Sequence, residues 1–117
     1  MNNGKIKTLK FRHKLTEEIL AGRKTVTWRL FDDKDLKNGD ILELIDWESG
    51  EKFADATIVS LYEKKLGDVV EKDYDGHEKY MNQAEMLETY KKYYGDKVSL
   101  DTSVKIIKFE VKNGKKN

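Results

Sequence analysis

The chain has 117 residues, of which 38% are hydrophobic and 38% charged, and a formal net charge of +1; that suffices for one domain with a compact core under a heavily charged surface. It has no cysteine and no proline, which excludes disulfides, thiolate metal sites and X-Pro isomerisation and fits a cytoplasmic location. It has no run of about 18 apolar residues, so no membrane-spanning helix is expected, and the residues from Met1 to Lys5 lack the apolar stretch of a secretory leader.

The alternation in Ile6–Phe11 predicts a half-buried strand. Leu15–Ala21 predicts a short helix, with Leu15, Ile19 and Leu20 on one face and Gly22 placed to end it. Thr25–Leu30, rich in β-branched and aromatic residues, reads as the next strand. Phe31–Asp35 is a charged loop, and Lys37-Asn38-Gly39-Asp40 is a turn signal. Ile41–Trp47 and Lys52–Lys64 form a predicted hairpin about Glu48–Glu51. Ala54, Ala56 and Ser60 share a face of its second arm with Ile58 and Tyr62, which suits a tight barrel interior. Lys65–Tyr80 is acidic and aperiodic; it is expected to be a long ordered loop with one helical turn, too polar for the core. Asn82 and Glu85 open a second helix as a capping-box variant, its apolar residues are Met86, Leu87, Tyr90, Tyr93 and Tyr94, and Gly95 closes it. Thr102–Val111 is the last strand. Its apolar phase slips between Ile106 and Ile107, which predicts a bulge or burial on both faces. Trp28, Trp47 and Tyr62 are expected in the core. The ends, residues 1–4 and 113–117, are expected to be disordered.

This order of elements predicts an α+β domain: a small, partly closed mixed β-barrel with two to three peripheral helices, closed by pairing of the first and last strands. Charge is spread unevenly. Residues 1–30 carry eight Lys/Arg against two acidic residues, residues 31–103 ten against nineteen, and residues 104–117 five against one. Terminal strands lying side by side would turn this into a basic face suited to a nucleic acid; scattered, solvated charge is the plain alternative.

The segment Gly22-Arg23-Lys24-Thr25-Val26-Thr27-Trp28-Arg29 concentrates cations and hydroxyls at a helix-to-strand junction. Such residues serve an anionic ligand or an activated nucleophile. They also have plain uses, because a helix C-terminus favours cations and threonine favours strands. In a regular strand Lys24 and Thr27 point to opposite faces, so their convergence requires irregular backbone after Gly22. Thr25, Thr27 and Arg29 share a face, where Arg29 is placed to hold a carbonyl oxygen or phosphate beside Thr27. The two histidines, His13 and His77, are far apart in sequence, and no acidic run has calcium-loop spacing. No metal and no cofactor are expected.

With these features in order, the chain resembles the ASCH domain family, related in fold to the RNA-binding PUA domain. The resemblance rests on the Gly-x-Lys-x-x-Thr-x-Arg pattern at 22–29, the Lys37–Asp40 turn, the hairpin, the acidic loop, the helix ending in Tyr93-Tyr94-Gly95 and the final strand. It implies a PUA-like barrel over residues 1–117, with a cleft lined by 22–29 that meets a nucleoside or RNA. Some small bacterial members are amidohydrolases that deacylate N4-acetylcytidine with a Lys, a Thr and a Glu. Carried over, these are Lys24, Thr27 and Glu78, with Asp75 as the fallback for the acid, and Arg29, Arg23 and Thr25 as substrate-binding residues. The alternative is a non-catalytic RNA-binding module using Arg12, Lys14, Arg23, Lys24 and Arg29 on phosphates. A monomer is expected, with no membrane partner and no DNA-specific motif.

Overall fold

The computed structural model describes residues 6–114. The elements are β1 (Ile6–Phe11), α1 (His13–Leu20), β2 (Val26–Leu30), β3 (Ile41–Asp46), β4 (Lys52–Lys65), α2 (Gln83–Tyr94) and β5 (Ser103–Gly114), with short 3₁₀ turns at Leu66–Asp68 and Glu71–Tyr74. The five strands form one curled mixed sheet in the order β1-β3-β4-β5-β2. The described residues form an α+β half-barrel with two α-helices. Among the described residues no helix is long and apolar enough to cross a membrane.

The curl does not close as the strand order suggested. β1 pairs with β3, in parallel, and β5 pairs with β4 and β2. The first and last strands are therefore not neighbours, and β1 and β2 are the two free edges. A terminal basic face built by adjacent end strands does not form. Instead a side chain spans the seam between the edges. The Arg29 guanidinium donates to the Lys10 carbonyl at 2.9 Å and lies over the Phe11 ring, 4.7 Å from its centroid.

Two cores lie on the two sides of the sheet. One gathers Leu9, Phe11, Ile19, Leu42, Leu44, Ala54, Ala56, Ile58, Ile107 and Phe109. The other packs Val26, Trp28, Leu30, Val104 and Ile106 against α2 and the 66–80 loop. Ile106 and Ile107 thus belong to opposite cores, so of the two expectations for the phase slip, burial on both faces is the one realised. The β4–β5 register shifts elsewhere, between Asp55 and Ala56 and between Ile58 and Ser60, where Val59 of β4 is the extra residue. From there the alternation on β4 breaks, and Tyr62 is 41% exposed rather than in the core. Trp47 is 55% exposed, because it lies past the end of β3, outside the sheet.

The 65–80 loop is more deeply seated than its composition predicts. It buries Leu66, Asp73 and His77. Asp73 is tolerated because its carboxylate accepts from the Tyr62 hydroxyl at 2.6 Å, the Lys64 ammonium at 2.8 Å and the Val70 amide at 2.8 Å; a buried carboxylate needs such partners. The loop is thereby pinned to β4. At the other boundaries, Gly22 has φ +82° where α1 ends, and Asn82 caps α2 by accepting from the Glu85 amide at 2.9 Å. β5 runs to Gly114, pairing Asn113 and Gly114 with Asp55 and Ala54, two residues into the expected disordered tail. The rest of that tail and residues 1–4 lie outside the described residues.

Candidate functional site

Five segments meet at the seam: the end of β1, α1 with its junction into β2, the turn after β3, the loop around residue 77, and the last turns of α2. They enclose a cavity of about 390 Å³. Lys24, Thr27, Trp28, Arg29, His77 and Glu78 line it, with Phe11, Arg12 and Trp47 on one side and Tyr90, Tyr93 and Tyr94 on the other.

The α1–β2 junction aims Lys24. After Gly22 the backbone turns back on α1, and the Arg23 and Lys24 amides both donate to the Glu18 carbonyl. β2 begins only at Val26, so Lys24 is free of strand alternation and reaches the same cavity as Thr27. Its ammonium donates to the Val26 carbonyl at 2.7 Å and to Glu78 Oε1 at 2.5 Å. Thr27 pairs with Ile107 in β5 and is buried. Among the described residues its hydroxyl makes no hydrogen bond, so its lone pairs and proton are uncommitted.

Glu78 is brought across 54 residues of chain by its neighbour. The Gly76 carbonyl accepts from the amides of Thr25 and Val26 at 2.9 and 3.0 Å, which docks the loop onto the start of β2. Gly76 has φ +81°, and a Cβ there would collide with Thr25 Oγ1; the close approach requires glycine. Asp75 is exposed and does not line the cavity, whereas Glu78 does.

Charge at the site follows from burial. Lys24 is 4% exposed. Burial pulls its pKa below the ordinary lysine value, Glu78 pushes it back up, and Arg29 adds to the lowering. Burial acts to raise the Glu78 carboxyl, but Lys24 and His77 outweigh it and hold the pKa below the usual glutamate value. His77 is pushed down to about 4, first by burial and then by Lys24, so its ring is neutral at pH 7. Its Nδ1 lies 2.8 Å from the Glu78 carbonyl, which can only accept, so Nδ1 carries the proton. Nε2 then accepts from the Tyr90 hydroxyl at 3.3 Å. The ring also stacks on Trp28, with centroids 4.2 Å apart and planes at 20°. His77 is therefore a positioning residue for the Glu78 backbone.

Of the six residues expected at the site, Lys24, Thr27, Glu78 and Arg29 line the cavity. Arg23 does not; it forms a surface pair with Glu18 at 2.9 and 2.8 Å. Thr25 does not either, and its hydroxyl faces Gly76. Lys14, proposed for phosphates, is also absent from the lining, whereas Arg12 is present. Sequence reasoning missed Lys10, Trp47, His77 and the cavity role of the α2 tyrosines. The tyrosines had helical spacing, which marks a packed face without saying what the face meets. Among the described residues no group of three or more His, Asp or Glu stands close enough to hold a metal ion.

No protein-family model matches the sequence, and no curated protein matches it. Solved structures do match. The ASCH domain from Lactobacillus crispatus superposes with a TM-score of 0.72 at 16% identity, over 92% of this chain and 79% of that one. A DUF984-family protein from Enterococcus faecalis gives 0.74 at 16% identity, over 100% and 85%. The ASCH protein from Zymomonas mobilis gives 0.63 at 8% identity, over 93% and 68%.

Proposed function

Starting from an ASCH fold of PUA-like type, we propose that the seam cavity binds a nucleoside and removes the acyl group from N4-acetylcytidine-type substrates. One observation carries the reading: a buried lysine, pulled toward its neutral form and held by a carboxylate, opens onto the same cavity as a threonine hydroxyl that has no hydrogen-bond partner among the described residues. A threonine hydroxyl attacks only when a base takes its proton, and a buried amine with a lowered pKa is such a base.

In this scheme neutral Lys24 accepts the Thr27 proton as Thr27 Oγ1 bonds to the acyl carbon. Arg29 faces the developing oxyanion. Collapse of the adduct breaks the C–N4 bond, and the departing amine takes its proton from Lys24. Water, deprotonated by the again neutral Lys24, then adds to the acyl carbon of the acyl-threonine ester; collapse breaks the C–Oγ1 bond, Oγ1 takes the proton back from Lys24, and the carboxylic acid is released. Glu78 keeps Lys24 aimed and supports its ammonium form between the two proton transfers. Among the aromatic side chains of the lining, Trp28 and Tyr90 are buried, and the partly exposed Tyr93 and Tyr94 are the rings that suit a flat heterocycle.

A second reading, an RNA-binding module without catalysis, is favoured by the cations Lys10, Arg12 and Lys92 in the lining. The test is incubation of the pure protein with a series of N4-acylcytidines, beside Lys24→Ala and Thr27→Ala. Deacylation by the wild type alone supports the amidohydrolase. No turnover across the series, with salt-sensitive RNA binding, overturns it in favour of the module.

A further inference from the structure

The lining of the cavity is unevenly charged. It holds Lys10, Arg12, Lys24, Arg29 and Lys92 against one carboxylate, Glu78, and that carboxylate is taken up by Lys24. At the mouth the imbalance is complete. Lys10 Nζ and the Arg12 guanidinium lie 5.5 and 5.1 Å from the centroid of the Trp47 ring. Among the described residues neither forms an ion pair. The carboxylates of the adjoining turn are turned elsewhere, to His13: Asp46 Oδ2 lies 2.6 Å from its Nδ1 and Glu48 accepts from its amide at 2.9 Å. An aromatic face orients a cation without neutralising it. Trp47 is thus a ring that holds two positive charges in place at the entrance while leaving their charge available.

A neutral nucleoside has nothing to offer such a pair. We propose that Lys10 and Arg12, set by Trp47, form a phosphate subsite, and that the ligand of the cavity is a phosphorylated nucleoside. This rests on the nucleoside reading of the cavity and names its substrate class more closely. The base lies among the aromatic walls beside Thr27, and the phosphate sits at the mouth. Arg12 supplies a planar fork of donors and Lys10 a point charge, the two ways proteins hold phosphate.

The experiment measures equilibrium binding of cytidine, cytidine 5′-monophosphate, cytidine 3′-monophosphate and inorganic phosphate by titration calorimetry, at low and at physiological salt. Turnover of N4-acetylcytidine is followed separately. One monophosphate is expected to bind about tenfold or more tighter than cytidine at low salt, with the advantage shrinking as salt rises. The preferred isomer tells which end of the ribose faces the mouth. The advantage falls to about threefold or less in the Lys10→Ala/Arg12→Ala double variant and in Trp47→Ala, and persists in Lys14→Ala, a surface change outside the lining. Circular dichroism of each variant confirms folding. Equal binding of cytidine and both monophosphates overturns the subsite, as does an advantage that survives the double variant or is matched by inorganic phosphate alone. Loss of the turnover reading leaves these binding results standing, so the two conclusions fail independently.

Discussion

Gly76 and Thr25 meet in two ways. The Gly76 carbonyl accepts from the Thr25 amide at 2.9 Å, and the space where Gly76 would carry a Cβ is filled by Thr25 Oγ1. This contact sets the register of the loop against β2, and so decides that Glu78, two residues on, reaches Lys24.

Gly76→Ala forces a Cβ into that space at a positive φ. It is expected to destabilise the fold by about 2 kcal/mol or more and to lower the proposed deacylation further by displacing Glu78. Urea unfolding and activity report the two effects. Thr25→Ala in the same chain removes the colliding oxygen and recovers part of both losses. A double variant no better than Gly76→Ala would place the damage elsewhere.

Thr27→Val removes a hydroxyl that has no hydrogen-bond partner among the described residues while keeping the shape. Stability is expected to change by less than about 1 kcal/mol, while the acyl-transfer rate falls on the order of 10³-fold or more. Retained activity would remove Thr27 as the nucleophile.

Glu78→Gln takes away the charge that raises the Lys24 pKa. With less to hold the proton, Lys24 becomes neutral at lower pH. The alkaline-rising limb of kcat/KM against pH is therefore expected to move toward neutral pH, whatever happens to the plateau. An unmoved limb would mean that the limb reports some other group.

His77 gives stability a pH dependence of definite sign. Its pKa is about 4 in the folded protein against 6.5 for a free histidine, so the unfolded chain binds more protons between those values. The contribution is fully present above pH 6.5 and is lost as pH falls through about 4, an amount of about 3 kcal/mol. Urea unfolding at several pH values should show a loss in the wild type that is smaller in His77→Gln. Parallel curves for the two proteins would refute it.

Arg29→Met leaves the seam without its bridge to the Lys10 carbonyl and without the cation over Phe11. A stability loss of about 1–2 kcal/mol is expected, and Arg29→Lys should recover little because an ammonium cannot reproduce the planar contact. Denaturant midpoints of the three proteins check this.

Much of the fold was legible because its signals are local. The stop at Gly22, the Asn82 cap, the hairpin and the helical spacing of the α2 tyrosines each depend on a few neighbouring residues. The slip between Ile106 and Ile107 left a bulge or burial on both faces open, and the structure shows a core on each side. What misled were inferences about which surface gets covered. Trp47 and Tyr62 are large and aromatic, yet one lies past a strand end and the other past a register shift. The acidic 65–80 loop looked too polar to bury, but Tyr62, Lys64 and the Val70 amide satisfy Asp73 where composition alone shows only charge.

By itself the sequence determined the elements, their order and the concentration of Lys24, Thr27 and Arg29 at one junction, because backbone preference and side-chain period act over short stretches of chain. The family resemblance added Glu78 as the acid. Only the tertiary structure decided that β1 pairs in parallel with β3 and leaves an open seam, that the seam is bridged by Arg29, and that Glu78 meets Lys24 inside it. Those relations join residues far apart in the chain and depend on strand register, and the meeting of Glu78 with Lys24 depends also on the close approach at Gly76. Burial completes the difference: the same lysine that is an ordinary cation in the sequence is moved toward neutrality once the fold removes its water.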